Sequence, residues 1–202
     1  MGDLIVLIIR KLKEITSGHW LKLFVISLIK KNSYYKASFT PSDEEALRTY
    51  GKLFSFAPAL YFEGLKYNSN EQEVLSAVIQ ILKAITLWKY RNVYPKGIDL
   101  KTFAGIHKKQ NEAGFLKYNK WEESEDTSSS HSLKIKNCYF YNAFKRYGVP
   151  GLTLAFCEAD EEYFSTFSRK ISFNRGERDE STIARGGDYC MFNFNRNSDI
   201  LQ

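Results

Sequence analysis

Three cysteines and one aspartate in the last third of the 202-residue chain are the side chains best suited to chemistry. Cys138 lies in a predicted strand, Cys157 closes the next apolar run, and Asp160 follows three residues later. Cys190 lies in the last predicted strand. A thiolate is a good nucleophile, and a carboxylate orients water or moves a proton. If these strands are neighbours in one sheet, the four side chains line one cavity.

The same cysteines also fit a purely structural role. Cysteine is among the most buried residue types, and thiol reactivity needs a partner that lowers the pKa. No CxxC pair is present, so we predict no cofactor. Zinc on Cys138, Cys157 and Cys190 is kept as an alternative, which needs all three sulfurs about 2.3 Å from one point.

Histidine provides a second candidate for proton transfer. His107 lies in a predicted helix that immediately precedes the sheet region, and we select it as the candidate base. His19 lies between two apolar segments and His131 lies in a serine-rich loop, so both are interpreted as surface or core residues.

A glycine pair and several arginines form a candidate anion site. The backbone amides of Gly186 and Gly187 in a turn can approach an anion closely. Arg169, Arg175 or Arg185 can hold a carboxylate through two hydrogen bonds. The alternative is a hairpin turn with solvated arginines.

The elements that must position these residues change character along the chain. Residues 1–120 have mainly helical patterns, and the clearest helix begins near Asn70 with an apolar stripe that includes Val78 and Ile85. The polar residues 122–132 are interpreted as a loop. Residues 133–141, 169–175 and 188–196 are predicted strands, and residues 142–148 a short helix.

Helices followed by strands predict an α+β fold in one domain, residues 1–202. The first part, 1–120, is helical, and the part at 133–196 is an antiparallel sheet with short packing helices. The fold therefore brings the chemistry-bearing residues into the second part.

Charge and hydropathy limit the partners. The formal net charge is +6, but acidic segments interrupt the basic residues, so we expect no nucleic-acid partner. The apolar runs at 4–9 and 20–29 are shorter than the ~20 residues of a membrane span. They are interpreted as two buried helices, with a weak peripheral membrane contact as the alternative. An odd cysteine count without a clear signal peptide predicts a cytoplasmic location.

Standard catalytic signatures are absent from the sequence, but the order of residues 135–196 resembles the L-2-amino-thiazoline-4-carboxylic acid hydrolase family. The shared layout is a cysteine in a strand, a GxP turn, a cysteine followed by aspartate, an arginine, and a GG-D-x-C-x-F-x-F ending. These features correspond here to Cys138, residues 148–150, Cys157 and Asp160, Arg169 or Arg175, and residues 186–194.

The resemblance implies an enzyme that hydrolyses a C–N bond in a small cyclic amidine- or thiazoline-like carboxylate. Cys157 or Cys190 would act as nucleophile or polarising thiol, with a lowered thiol pKa, and Asp160 as general base or acid. Arg169, with the amides of Gly186 and Gly187 beside Asp188, would hold the substrate carboxylate.

Two departures leave the substrate open. Met191 stands where the family usually has aspartate, and residues 176–181 form an insertion. The ending also resembles that of 4-vinyl-reductase-type domains, which bind small molecules without needing to be enzymes. A non-catalytic small-molecule-binding domain is therefore the alternative function.

Overall fold

The computed structural model describes residues 2–114, 116–119, 123–176 and 182–197. Across these residues the chain forms eight α-helices, most of them N-terminal, and one four-stranded antiparallel sheet. The predicted α+β class is therefore confirmed. No helix in the described ranges combines the length and apolar character needed to cross a bilayer.

The chain divides into two compact units that are interleaved in sequence. Unit one contains Met1–Thr86 and Tyr139–Phe156, and unit two contains Leu87–Cys138 and Cys157–Gln202. The residues of the candidate anion site, the three cysteines with Asp160, and the histidines His107 and His131 all belong to unit two.

Unit one is helical. It holds α1 (Gly2–Thr16), α2 (Trp20–Ser38), α3 (Glu45–Phe54), α4 (Phe56–Gly64) and α7 (Tyr139–Arg146), with the first parts of α5 (Glu71–Val93) and α8 (Leu154–Phe164). The Asn70 side chain accepts hydrogen bonds from the backbone N–H groups of Gln72 and Glu73, and it therefore caps α5 at the predicted start of that helix. The apolar stripe of α5 is buried at Val78, but Ile85 at its end is 38% exposed.

Unit two combines the rest of α5 and α8 with α6 (Leu100–Ala113) and the sheet. The sheet contains β1 (Glu123–Asp126), β2 (Ser130–Ile135), β3 (Ile171–Asn174) and β4 (Cys190–Arg196) in the order β1-β2-β4-β3. Its core is aromatic, and Phe103, Phe164 and Phe194 are almost fully buried. Their rings pack at centroid distances of 5.7 Å or less.

Three local predictions were wrong. The polar segment 122–132 contains a β-hairpin rather than a loop, with Thr127 Oγ1 accepting from the N–H of Ser130 at 2.9 Å in the turn. Cys138 lies beyond the end of β2, in the segment before α7, rather than in a strand. Cys157 closes no strand, because the apolar run around it forms α8. An apolar run of about eight residues fits a buried helix as well as a strand.

Candidate active site

Asp160 is the centre of a buried polar cluster in unit two. The Tyr90 hydroxyl donates to its Oδ1 at 2.6 Å, and Arg175 Nη2 donates to its Oδ2 at 3.0 Å. The same arginine nitrogen lies 3.4 Å from the carbonyl oxygen of Cys157, to which it also donates. Asp160 is 8% exposed and Arg175 is 4% exposed. A buried charge is tolerated only when it is paired in this way.

Four elements position this cluster. Helix α8 carries Cys157 and Asp160 three residues apart, so the two side chains lie on neighbouring positions of one helix face. Tyr90 comes from the second part of α5, and Arg175 follows the last residue of β3. The guanidinium carbon of Arg175 lies 4.2 Å from the Phe192 ring centroid, so an aromatic face from β4 supports the cation.

Burial dominates the electrostatics of the cluster. It raises the pKa of Asp160 above its usual range, against the opposing effects of Arg175 and the Tyr90 hydrogen bond. Burial and the Asp160 charge raise the pKa of Tyr90 well above its ordinary value. Tyr90 therefore stays protonated and donates, while the carboxyl group titrates at a higher pH than a solvated aspartate.

The two buried thiols lie beside this group. The Ile183 N–H donates to Cys190 Sγ at 3.3 Å. Burial, followed by the Asp160 charge, raises the pKa of Cys157 to about 12, although the nearby Arg175 and Thr182 oppose the rise. The Thr182 hydroxyl itself is buried without a hydrogen bond of normal geometry. Burial also raises the pKa of the Cys190 thiol.

These shifts run opposite to the lowered thiol pKa that a cysteine nucleophile needs. At neutral pH a thiol with a raised pKa is protonated and weakly nucleophilic. The arrangement suits neutral S–H groups next to a buried carboxyl group.

The two buried histidines form a separate chain in the same unit. His107 Nδ1 lies 3.2 Å from His131 Nε2, and His131 Nδ1 lies 3.6 Å from Asp126 Oδ1. Asp126 in turn accepts a hydrogen bond from Lys108. Burial, with the neighbouring His131, lowers the pKa of His107 to about 3. His131, predicted in a loop, is instead a fully buried residue of β2 opposite Phe194.

The residues of the predicted anion site lie in two turns, one before β3 and one before β4. Arg169 is exposed in the turn before β3, and its carbonyl oxygen accepts from the Asn197 side chain. The N–H groups of Gly186 and Gly187 donate to the carbonyls of Ile183 and Thr182, which closes the turn. Both amides are thus engaged within the turn.

The remaining predicted residues lie nearby in sequence. Asp188 is exposed in the same turn. Arg185 pairs with Glu161 at 2.8 Å. Met191 of β4 lies close to Gly176, where the backbone takes a positive φ of 86°. Residues 177–181 of the predicted insertion lie outside the described residues.

Within the described ranges, no group of three or more His, Cys, Asp or Glu side chains is arranged to hold a metal ion. Cys138 is half-buried in the segment between β2 and α7.

Comparison with protein families gives the classification. The model of the L-2-amino-thiazoline-4-carboxylic acid hydrolase family matches residues 64–194, which are 131 of the 202 residues. The chain belongs to this family. No curated protein and no solved structure matched the chain. The family match confirms the resemblance of residues 135–196 and extends it upstream to the end of α4.

The extended match includes every member of the Asp160 cluster. Tyr90 lies within it, although no pattern in the sequence distinguishes this tyrosine in the middle of a helix. Arg175 was one of two candidate arginines, and the structure places it, rather than Arg169, against Asp160. The signal that separates them is position, because Arg175 directly follows a strand of the sheet while Arg169 precedes it.

Proposed function

We propose that this hydrolase-family chain opens a C–N bond in a small cyclic amidine- or thiazoline-like carboxylate. The observation that carries the proposal is the buried Tyr90–Asp160–Arg175 cluster beside two thiols, within the residues that match the family. A buried carboxyl with a raised pKa and a specific charge partner is typical of acid–base sites.

Asp160 is the proposed general base. Each carboxylate oxygen has a further lone pair beyond the one that Tyr90 or Arg175 occupies. A water molecule held there gives a proton to Asp160 as its oxygen bonds to the ring carbon between the two heteroatoms. Asp160 passes this first proton to the ring nitrogen, whose C=N bond becomes a single bond. Asp160 then takes the proton of the added hydroxyl as its oxygen forms the carbonyl, and gives it to the same nitrogen as the C–N bond breaks. The nitrogen leaves as a primary amine with both protons of the water, so one water is consumed and the carboxylate is regenerated.

Tyr90 and Arg175 are proposed as positioning residues. Each holds a different oxygen of Asp160 by a hydrogen bond, which restrains rotation of the carboxylate. Both groups also oppose the rise in the Asp160 pKa, so they favour the ionised form that a base needs.

Cys157 and Cys190 are proposed as polarising thiols. Protonated S–H groups are weak donors that can face a substrate sulfur or nitrogen, whereas attack by a thiolate would need the opposite pKa shift. Cys157→Ala and Cys190→Ala are therefore expected to slow hydrolysis by about tenfold rather than abolish it. Complete loss of activity in either variant, with the fold intact, would favour covalent catalysis instead.

The substrate carboxylate is proposed to bind the exposed Arg169 guanidinium, since the amides of Gly186 and Gly187 beside Asp188 already donate within their own turn. Arg169→Gln is expected to raise KM with little change in kcat, since the group would bind substrate and transition state equally. A matched substitution at the exposed Lys170 tests whether any nearby charge has the same effect.

The function is tested by incubating purified protein with 2-amino-thiazoline-4-carboxylate and following products by mass spectrometry. Opening of the ring C–N bond leaves a new primary amine, whereas opening of the C–S bond leaves a free thiol. Product with a new amine and no thiol supports the proposal. Release of thiol would overturn the bond assignment, and absence of turnover on a panel of cyclic amidine carboxylates would overturn the enzyme assignment.

One observation favours the binding-domain alternative. Both oxygens of Asp160 are already engaged by protein donors, and both thiols have raised pKa values, which also suits a closed ligand pocket. A binding domain would retain a small molecule through purification without converting it. Native mass spectrometry of the intact protein, run beside the turnover assay, separates the two functions.

A further inference from the structure

Helix α2 is apolar on two sides, and only one of them is covered. Leu23 and Ser27 are fully buried on the inner side. The outer side carries a stripe of exposed apolar residues spaced four, three and one positions apart, which places them on one helix face. These are Leu21, Val25, Leu28 and Ile29, with exposed fractions of 57%, 43%, 41% and 71%.

Helix α1 repeats this arrangement. Its buried side holds Leu12 and Ile15, whereas Ile5 is 51% and Val6 is 66% exposed. Six large apolar side chains thus face water on two neighbouring helices of unit one. A cluster of exposed apolar residues on this scale is typical of an interaction surface.

Basic residues surround this apolar surface. Residues 2–38 carry seven lysines and arginines against two acidic residues, a net charge of +5 out of the +6 of the whole chain. Lys22 and Lys36 are exposed and each lies seven residues, or about two helical turns, from Ile29. Both lysines therefore lie on the face of α2 that carries the apolar stripe. On α1, the exposed Arg10 and Lys13 lie four and seven residues after Val6, on the face that carries its exposed apolar residues.

The positive charge around the apolar stripe indicates which kind of partner can bind this surface. A second copy of the chain seated on the same surface would place two sets of like charges together, which is unfavourable. An anionic lipid surface provides the opposite charge and an apolar layer for the stripe at once. We propose that α1 and α2 attach this protein to anionic phospholipid bilayers, lying on the membrane rather than crossing it.

The experiment is flotation of the full-length chain with vesicles of phosphatidylcholine containing phosphatidylglycerol, and with vesicles of phosphatidylcholine alone. Binding is expected only to the anionic vesicles and is expected to weaken as salt is raised. Removing both charges in Lys22→Gln/Lys36→Gln should weaken binding about 25-fold, at about fivefold for each lysine near the surface. Val25→Asp/Ile29→Asp should reduce binding by more than tenfold.

The matched control is Leu53→Asp, since Leu53 is 60% exposed but lies on α3. It is expected to bind vesicles like the wild type. Circular dichroism of each variant checks that the helices are intact. Equal binding to neutral vesicles, or no effect of Val25→Asp/Ile29→Asp, would overturn the proposal. A dimer in light scattering that the same double substitution dissociates would also overturn it, in favour of a second copy on this surface.

Discussion

Replacing Tyr90 with phenylalanine tests the electrostatics of the buried cluster. The change removes a single hydroxyl whose 2.6 Å hydrogen bond reaches Asp160 Oδ1, and leaves the ring in place. The same hydroxyl is one of the groups that oppose the rise in the Asp160 pKa. Two measurable consequences follow, one for stability and one for its pH dependence.

The stability cost depends on the charge of Asp160. A hydrogen bond to an ionised group contributes about 1.5–3 kcal/mol, and one between neutral groups about 1 kcal/mol. We therefore expect Tyr90→Phe to lower the free energy of unfolding by about 2 kcal/mol where Asp160 is ionised. Where Asp160 is protonated, the expected loss is about 1 kcal/mol.

The pH dependence follows from the direction of the pKa shift. The Asp160 pKa is raised in the folded state, so its ionisation costs stability as pH rises from the unfolded pKa through the folded one. Loss of the Tyr90 hydrogen bond raises the folded pKa further. The difference between wild type and Tyr90→Phe should therefore grow as pH rises and become constant above the folded pKa of the variant.

The assay is urea unfolding of both proteins between pH 4 and pH 9, followed by circular dichroism. Tyr147→Phe is the matched control, because the buried Tyr147 hydroxyl donates at 2.7 Å to the neutral carbonyl oxygen of Gly51. Its expected cost is about 1 kcal/mol at every pH. Equal and pH-independent losses in the two variants would refute the electrostatic account of Asp160.

His107, Gly51 and Gly105 each allow a test of the structure by a single substitution. The pKa of His107 is about 3 in the folded state, so the neutral form stabilises the fold above the ordinary pKa of 6.5. As pH falls below 6.5, the free energy of unfolding is expected to fall by up to about 1.4 kcal/mol per pH unit because of this histidine. In His107→Phe, the free energy of unfolding measured across the same acid range should lack this part of the pH dependence. Gly51→Ala should cost about 1–3 kcal/mol in urea unfolding, because a Cβ there would clash with the Phe39 ring. Gly105→Ala meets no atom within 4 Å and should stabilise the protein by about 0.5–1 kcal/mol, and destabilisation by it would contradict the helix geometry.

The sequence predicted the fold class because the helical signals were strong and local. The start of α5 follows from one capping side chain, Asn70, and from an apolar spacing that only a helix satisfies. The strands β3 and β4 follow from alternating apolar residues such as Phe192 and Phe194. These features act within a few residues, so they can be read from the chain.

The errors arose where long-range contacts decide the structure. The hairpin of β1 and β2 consists largely of serine and acidic residues, and pairing of β2 with β4 stabilises it more than its own propensity does. Helix α8 could not be distinguished from a strand by an apolar run alone. Tyr90 of α5, which donates to Asp160, is 70 positions away from it in sequence, and no local pattern indicates this contact.

Three residues of the candidate site could be selected from local sequence, whereas their contacts and pKa shifts could not. Cys157, Asp160 and Cys190 were selected because rare side chains stood in a recognisable order, and the structure places all three in or beside one buried cluster. The direction of the thiol pKa shifts was not predictable, since it depends on burial that only the folded chain creates.

Asp160 is proposed to act as the base in ring hydrolysis. The most direct test of this role is the pH dependence of kcat/KM on 2-amino-thiazoline-4-carboxylate for wild type and Tyr90→Phe, because this profile reports ionisations of the free enzyme. The account predicts a rate that rises with pH as Asp160 ionises, with the rise displaced to higher pH in Tyr90→Phe. A rise at the same pH in both proteins would contradict it.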